Sequence, residues 1–105
     1  MENVAITIDE KGHGDFLIMA GEDQLAKMEI AVSGNNLTVY HTFVAPAAEG
    51  KGLAKILLST LVDCAYKNGL KVIPLCPFVR DQFNRYPDKY VNVWNKQGMR
   101  LSGQK

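Results

Sequence analysis

Residues 37–76 read LTVYHTFVAPAAEGKGLAKILLSTLVDCAYKNGLKVIPLC, and the fold is decided in this stretch. Leu37 to Val44 concentrates β-branched and aromatic residues (Val39, Tyr40, Thr42, Phe43, Val44) between Asn36 and Pro46, which predicts a buried strand. Past Gly50-Lys51-Gly52, apolar residues fall at Ala54, Leu57, Leu58, Leu61, Val62 and Ala65, the spacing of one helix face. Lys67, Asn68 and Gly69 supply a basic last turn and a cap glycine, so the helix is expected to stop near Asn68. Leu70 to Pro74 is an apolar run of strand length. A helical crossover lets it pair parallel to the first strand, giving a βαβ unit.

The hinge of that unit carries the chemistry. The first N–H groups of a helix lack intrahelical partners, and its dipole adds partial positive charge there. Gly50 and Gly52 remove two Cβ atoms at that point, so a bulky anion can approach the backbone, and a phosphate or pyrophosphate is the expected ligand group. The alternative is an ordinary glycine turn before a helix. Lys51 and Lys55 oppose the helix dipole at a cost of about 0.3 kcal/mol or more, unless an anion sits between them. Otherwise they are two solvated lysines. A Walker A loop does not fit, because no Gly-Lys is followed by Ser or Thr. A dinucleotide fingerprint fails because Lys55 stands where its third glycine belongs.

Upstream, Val4, Ile6 and Ile8 alternate with Ala5 and Thr7, a half-buried strand that runs into the turn residues 9–15. Phe16 to Ala20 is a second strand, and Lys27 to Val32 a third with Met28, Ile30 and Val32 on one face. Short polar turns join them, which predicts an antiparallel meander leading into the βαβ unit. Downstream, Val79, Phe83 and Tyr86 give a short amphipathic helix that starts at Pro77 and ends at Pro87. The fold class is α/β (α+β mixed): a mixed, mostly antiparallel sheet with helices packed on it. Residues 1–94 are expected to form one domain and 95–105 a flexible tail, with Val91, Val93 and Trp94 either packing back or exposed for a dimer contact.

At 105 residues and 47% hydrophobic, the chain suffices for one domain with a real core. A net charge of +1 with interspersed signs leaves no footprint for nucleic acid or an anionic membrane. Met1-Glu2-Asn3-Val4 does not open a signal peptide and no apolar run reaches spanning length, so a cytoplasmic location is expected. Cys64, Cys76, His13 and His41 lack zinc spacing, and both cysteines are read as thiols. Cys64 and His13 receive no role.

Gly50-Lys51-Gly52-Leu53-Ala54 resembles the pyrophosphate loop of the GNAT acetyltransferase superfamily. His41-Thr42 and Val44 before the loop, Leu57-Leu58 in the helix and Pro74-Leu75-Cys76-Pro77-Phe78 after the second strand resemble a small one-domain branch of it. That branch keeps an HT-x-V strand end, a GxG loop and a Cys near the following strand's end. The likeness covers roughly residues 4 to 90. Ala47 departs from the pattern, standing where larger members carry Gln or Arg. The two helices that larger members place between their first strands have no room here, so the acceptor site is expected to be open.

The resemblance implies an N-acetyltransferase that uses acetyl-CoA and a small-molecule or peptide amine, acting as a monomer or weak homodimer. Its cofactor contacts would be Phe43, Val44, Glu49, Gly50, Lys51, Gly52, Leu53, Ala54 and Lys55. Cys76 lies at the carboxyl end of a parallel strand, where open α/β sheets bind ligands, and a thiolate there can exchange thioesters. Cysteine is also a common small core residue. His41 is a candidate base for Cys76 or for the incoming ammonium, or else a structural histidine in the sheet. Tyr86 matches the general acid of larger members, yet packing beneath the last helix is the preferred reading. Direct attack by the amine and a Cys76 acetyl-enzyme both remain open. The rivals are a non-catalytic CoA or acyl-CoA-binding module and, least supported, a Cys76-centred thiol or thioesterase activity.

Overall fold

The computed structural model describes residues 4–95. Four antiparallel strands come first: β1 (Val4–Ile8), β2 (His13–Ala20), β3 (Asp23–Ser33) and β4 (Asn36–Val44). A 3-10 turn at Pro46–Ala48 leads to α1 (Leu53–Lys67), β5 (Lys71–Pro74), α2 (Pro77–Arg85) and α3 (Pro87–Tyr90). The sheet order is β1-β2-β3-β4-β5, with β5 parallel to β4. The meander and the βαβ unit expected from the sequence are both present.

Turn chemistry sets the register. Asp9 Oδ1 accepts the N–H groups of Lys11 and His13, closing the β1–β2 hairpin. The β2–β3 and β3–β4 hairpins each turn on a positive-φ glycine, Gly21 and Gly34, in the tight two-residue form that matches strand twist. These turns extend β2 and β3 beyond the apolar runs that announced them.

One face of the sheet is covered by helices. Phe16, Ile18, Ala26, Met28, Ile30, Leu37, Val39 and Val72 point at Leu53, Leu57, Leu58, Leu61 and Ala65 of α1. Fully burying each such Leu is worth about 2 kcal/mol, which holds the helix where its own propensity would not. Helix α1 packs on β2 to β5, so the edge strand β1 stands beyond it. Ile6 and Ile8 are accordingly 49% exposed, against the half-buried pattern their alternation predicts.

One expectation at the C-terminal end is corrected. Val79 and Phe83 are core residues, but Tyr86 is 51% exposed, because Pro87 starts a second short helix and turns the chain before Tyr86 can pack. Its place is taken by Tyr90, stacked on Phe83 at 4.4 Å, and by Trp94, edge-on to Phe83 at 5.4 Å. Val93 and Trp94 are therefore buried within the chain, and only Val91 remains outside. Of the two alternatives for this segment, packing back holds for Val93 and Trp94. Trp94 also bridges Val72 beside β5, and Asn95 donates its N–H to Val72 O at 2.9 Å and its amide to Asn36 Oδ1 at 2.7 Å. Asn95 is thus tied to the sheet, and the rest of the expected tail lies outside the described residues.

Candidate active site

The site begins with an irregularity in β4. Glu29 of β3 pairs with His41 and Ile30 with Val39, so Tyr40 is an extra residue, a β-bulge. Side chains alternate faces along a strand, and one inserted residue shifts that alternation. Leu37 and Val39 face the helices before the bulge, whereas Thr42 and Val44 do so after it. His41 is exposed and Phe43 is 50% exposed, both on the opposite, outer face.

Pairing between β4 and β5 ends at Val39 with Pro74. The Val39 carbonyl accepts two further N–H groups, from Leu75 at 3.1 Å and Cys76 at 2.9 Å, and the chain then departs into α2. Past that point no strand among the described residues pairs with the β5-facing side of Tyr40–Val44. Backbone donors and acceptors on that side are available to a ligand that lies along the strand. Cys76 is the N-cap of α2, 2% exposed, with its Sγ 3.3 Å from Thr42 Oγ1.

At the far end of the same strand edge stands the glycine loop. Ala48 is buried and anchors the 3-10 turn, and Glu49, Gly50 and Lys51 are exposed beyond it. Gly50 has φ 86° and Gly52 φ 75°, backbone that side chains other than glycine's rarely adopt. Gly52 caps α1 with no side-chain hydrogen bond, and no acidic residue occupies the first turn. The first intrahelical bond runs from Ile56 N to Gly52 O at 3.2 Å, so the N–H groups of Leu53, Ala54 and Lys55 precede the helical ladder. The open space around both glycines, the absent cap and Lys51 and Lys55 suit an anion such as a pyrophosphate. Ala47 leaves the loop without the side-chain donor of the family pattern.

The structure thus gathers Phe43, Val44, Glu49, Gly50, Lys51, Gly52, Leu53, Ala54 and Lys55 along one continuous edge, with Cys76 at its inner end. It does not bring His41 to Cys76. The bulge turns His41 to the outer face and puts Thr42 against the thiol, so the expected His41–Cys76 cleft is not formed. Thr42 is the residue that contacts Cys76. Nothing in the strand's composition signals the bulge that places it there. The outer face carries a groove of about 540 Å³ lined by Asp9, His13, Asp15, Glu29 and Tyr40, which the sequence did not announce either.

Residues 15–93 match the GCN5-related N-acetyl-transferase family, a span that runs from β2 through the loop and past Cys76. The chain belongs to that family. A GCN5-like putative N-acetyltransferase from Staphylococcus aureus, solved in solution, is 31% identical, with TM-score 0.65 over 90% of each chain. The ribosomal-protein-alanine N-acetyltransferase from Brucella melitensis biovar Abortus 2308 shares the fold at TM-score 0.61 and 17% identity, covering 73% of this chain and 64% of its own. The ribosomal-protein-S18-alanine N-acetyltransferase from Escherichia coli does so at TM-score 0.57 and 21% identity, over 63% of this chain. This chain spans only 43% of that E. coli protein. No curated protein matches the chain by sequence. As a GCN5-related fold of short length, the sheet keeps its helices on one face and leaves the other without them among the described residues.

Proposed function

We propose that this chain transfers an acetyl group from acetyl-CoA to a primary amine. The observation that supports it most is the convergence on one sheet edge of an unpaired strand segment, Tyr40–Val44, and an uncapped α1 N-terminus behind two positive-φ glycines. Acetyl-CoA supplies the acetyl group as a thioester already activated toward amines. Backbone N–H groups from Gly50 to Lys55 hold its pyrophosphate, with Lys51 and Lys55 adding charge. Backbone groups around Phe43 and Val44 orient the thioester carbonyl along β4.

The burial of Cys76 and its contact with Thr42 favour direct attack by the amine over a Cys76 acetyl-enzyme, which would need the thiol to leave the core. His41, exposed on the outer face, is placed to take the proton from an amine that arrives there. The longer relatives named for a ribosomal-protein alanine make a peptide amine a reasonable acceptor class beside small amines. A cytoplasmic location suits a reaction that draws on acetyl-CoA, and the burial of Val93 and Trp94 favours a monomer.

The second reading is a non-catalytic acyl-CoA-binding module, favoured by the outer sheet face, which no helix among the described residues walls into an acceptor pocket. Calorimetric titration with acetyl-CoA, run beside Gly52→Val and Lys51→Glu, tests the common part of both. Binding by the native chain that weakens in both variants supports the loop as the cofactor site. No binding at millimolar ligand would leave the loop with no cofactor role and sink both readings together. CoA release only when an amine is present then separates the enzyme from the module.

A further inference from the structure

The outer-face groove of about 540 Å³ runs up to the strand position of His41, and its charge has one sign. Asp9, Asp15 and Glu29 line it together with His13 and Tyr40, and among the described residues no lysine or arginine does. The three carboxylates differ in what holds them. Asp9 accepts two N–H groups of its own hairpin, from Lys11 at 2.8 Å and His13 at 3.0 Å. Glu29 meets Lys27 at 3.5 Å in a partly exposed pair. Asp15 is half-buried and makes no ion pair or side-chain hydrogen bond among the described residues. A carboxylate partly withdrawn from water without a partner is costly, and a bound cation relieves that cost. The register gives the groove a direction. Asp15 stands opposite Glu29, and Glu29 opposite His41, in one row across β2, β3 and β4. At about 4.8 Å per strand, Asp15 lies roughly 10 Å from His41 along that row.

We propose that this groove holds the far ammonium of the acceptor, so that the chain prefers a small aliphatic diamine to a monoamine. The proposal rests on acetyl transfer to an amine that arrives at the outer face. A cavity of several hundred Å³ takes a small molecule, and the charge it lacks is positive. With one nitrogen hydrogen-bonded to His41 and the other to Asp15 and Glu29, an aliphatic chain of about four carbons spans the row at ordinary bond lengths. Tyr40, turned out by the bulge, adds an aromatic ring beside the cation. The uncharged nitrogen at His41 forms the new C–N bond as the C–S bond of acetyl-CoA breaks. The proton it loses passes through His41 to the departing CoA sulfur, and the product keeps one ammonium.

The test is steady-state kinetics with putrescine and n-butylamine, four-carbon amines that differ by one ammonium, for the native chain and for the double variant Asp15→Asn/Glu29→Gln. Both substitutions keep side-chain size, and circular dichroism with the KM for acetyl-CoA checks that the fold and the cofactor site are intact. The native chain is expected to favour putrescine in kcat/KM by about tenfold, the scale of two screened charge contacts. That preference shrinks as salt is added and falls to unity in the double variant. Equal kcat/KM for the two amines in the native chain, or a preference that survives the double variant, overturns the proposal while turnover of n-butylamine leaves the transferase standing. A native chain that binds acetyl-CoA and acetylates neither amine fells the transferase reading and the groove with it.

Discussion

Thr42 Oγ1 lies 3.3 Å from Cys76 Sγ, a hydrogen bond that ties the end of β4 to the start of α2 across the gap where β4 and β5 part. The thiol is 2% exposed. Cys76→Ala is therefore expected to cost about 1 kcal/mol of stability, the typical size of a single core change. If the amine attacks directly, turnover stays within a few-fold of the native chain. Steady-state kinetics beside urea unfolding decides: loss of turnover in a folded variant would identify an acetyl-enzyme, with ping-pong kinetics as its second sign.

Glycines 14 and 52 separate two uses of the same residue. A Cβ at Gly14 would come 1.9 Å from Thr7 O, a backbone atom of the adjacent strand, so Gly14→Ala must push β1 off β2. A Cβ at Gly52 would meet nothing within 4 Å, and Gly52→Ala bears only the strain of φ 75°. Gly52→Ala should cost about 1–2 kcal/mol and Gly14→Ala more than that. Chemical denaturation of the two variants reads the difference. Equal costs would mean that β1 adjusts freely at its edge.

The parts of this molecule that are local in sequence were legible in it. Helix α1 announces itself by its apolar period and its Lys67-Asn68-Gly69 end, and the loop by two glycines that both take positive φ. What decides the site's inner end is not local. The bulge at Tyr40 exists because β4 carries one residue more than β3 can pair, and without it His41 would face the helices in place of Thr42. The exposure of Ile6 and Ile8 depends on how far α1 reaches, and that of Tyr86 on a second helix whose start reads as the first helix's end. Each of those facts concerns a neighbour distant along the chain, which period and propensity do not report.

Phe83 joins the final segment to the core, through Tyr90 at 4.4 Å and Trp94 at 5.4 Å. Phe83→Ala should cost about 3–5 kcal/mol, since it empties a fully buried site and removes both ring contacts. Trp94 reports the change directly. Its fluorescence should shift to longer wavelength in the variant under conditions where the native chain stays folded. A variant with native fluorescence and little lost stability would mean that Val93 and Trp94 hold the segment without Phe83.

The two thiols should be unreactive for different reasons. Burial pushes the Cys64 thiol above its ordinary value of 9.0, and the neighbouring Asp63 adds to that, while a hydrogen bond from Asn68 opposes it. Cys76 is shielded by burial in the core. At pH 7.5 an aromatic disulfide reagent should titrate both thiols slowly in the native chain and quickly in denaturant. The sign of the pH effect follows from linkage. A raised thiol is neutral in both folded and unfolded chains well below 9.0, so it changes nothing there. Above 9.0 the unfolded chain ionises first, and stability falls as pH climbs toward the folded value. Denaturation midpoints measured from pH 8 to 10 should therefore drop more steeply in the native chain than in Cys64→Ala. Parallel curves would show that the Cys64 environment does not distinguish the folded thiol from the unfolded one.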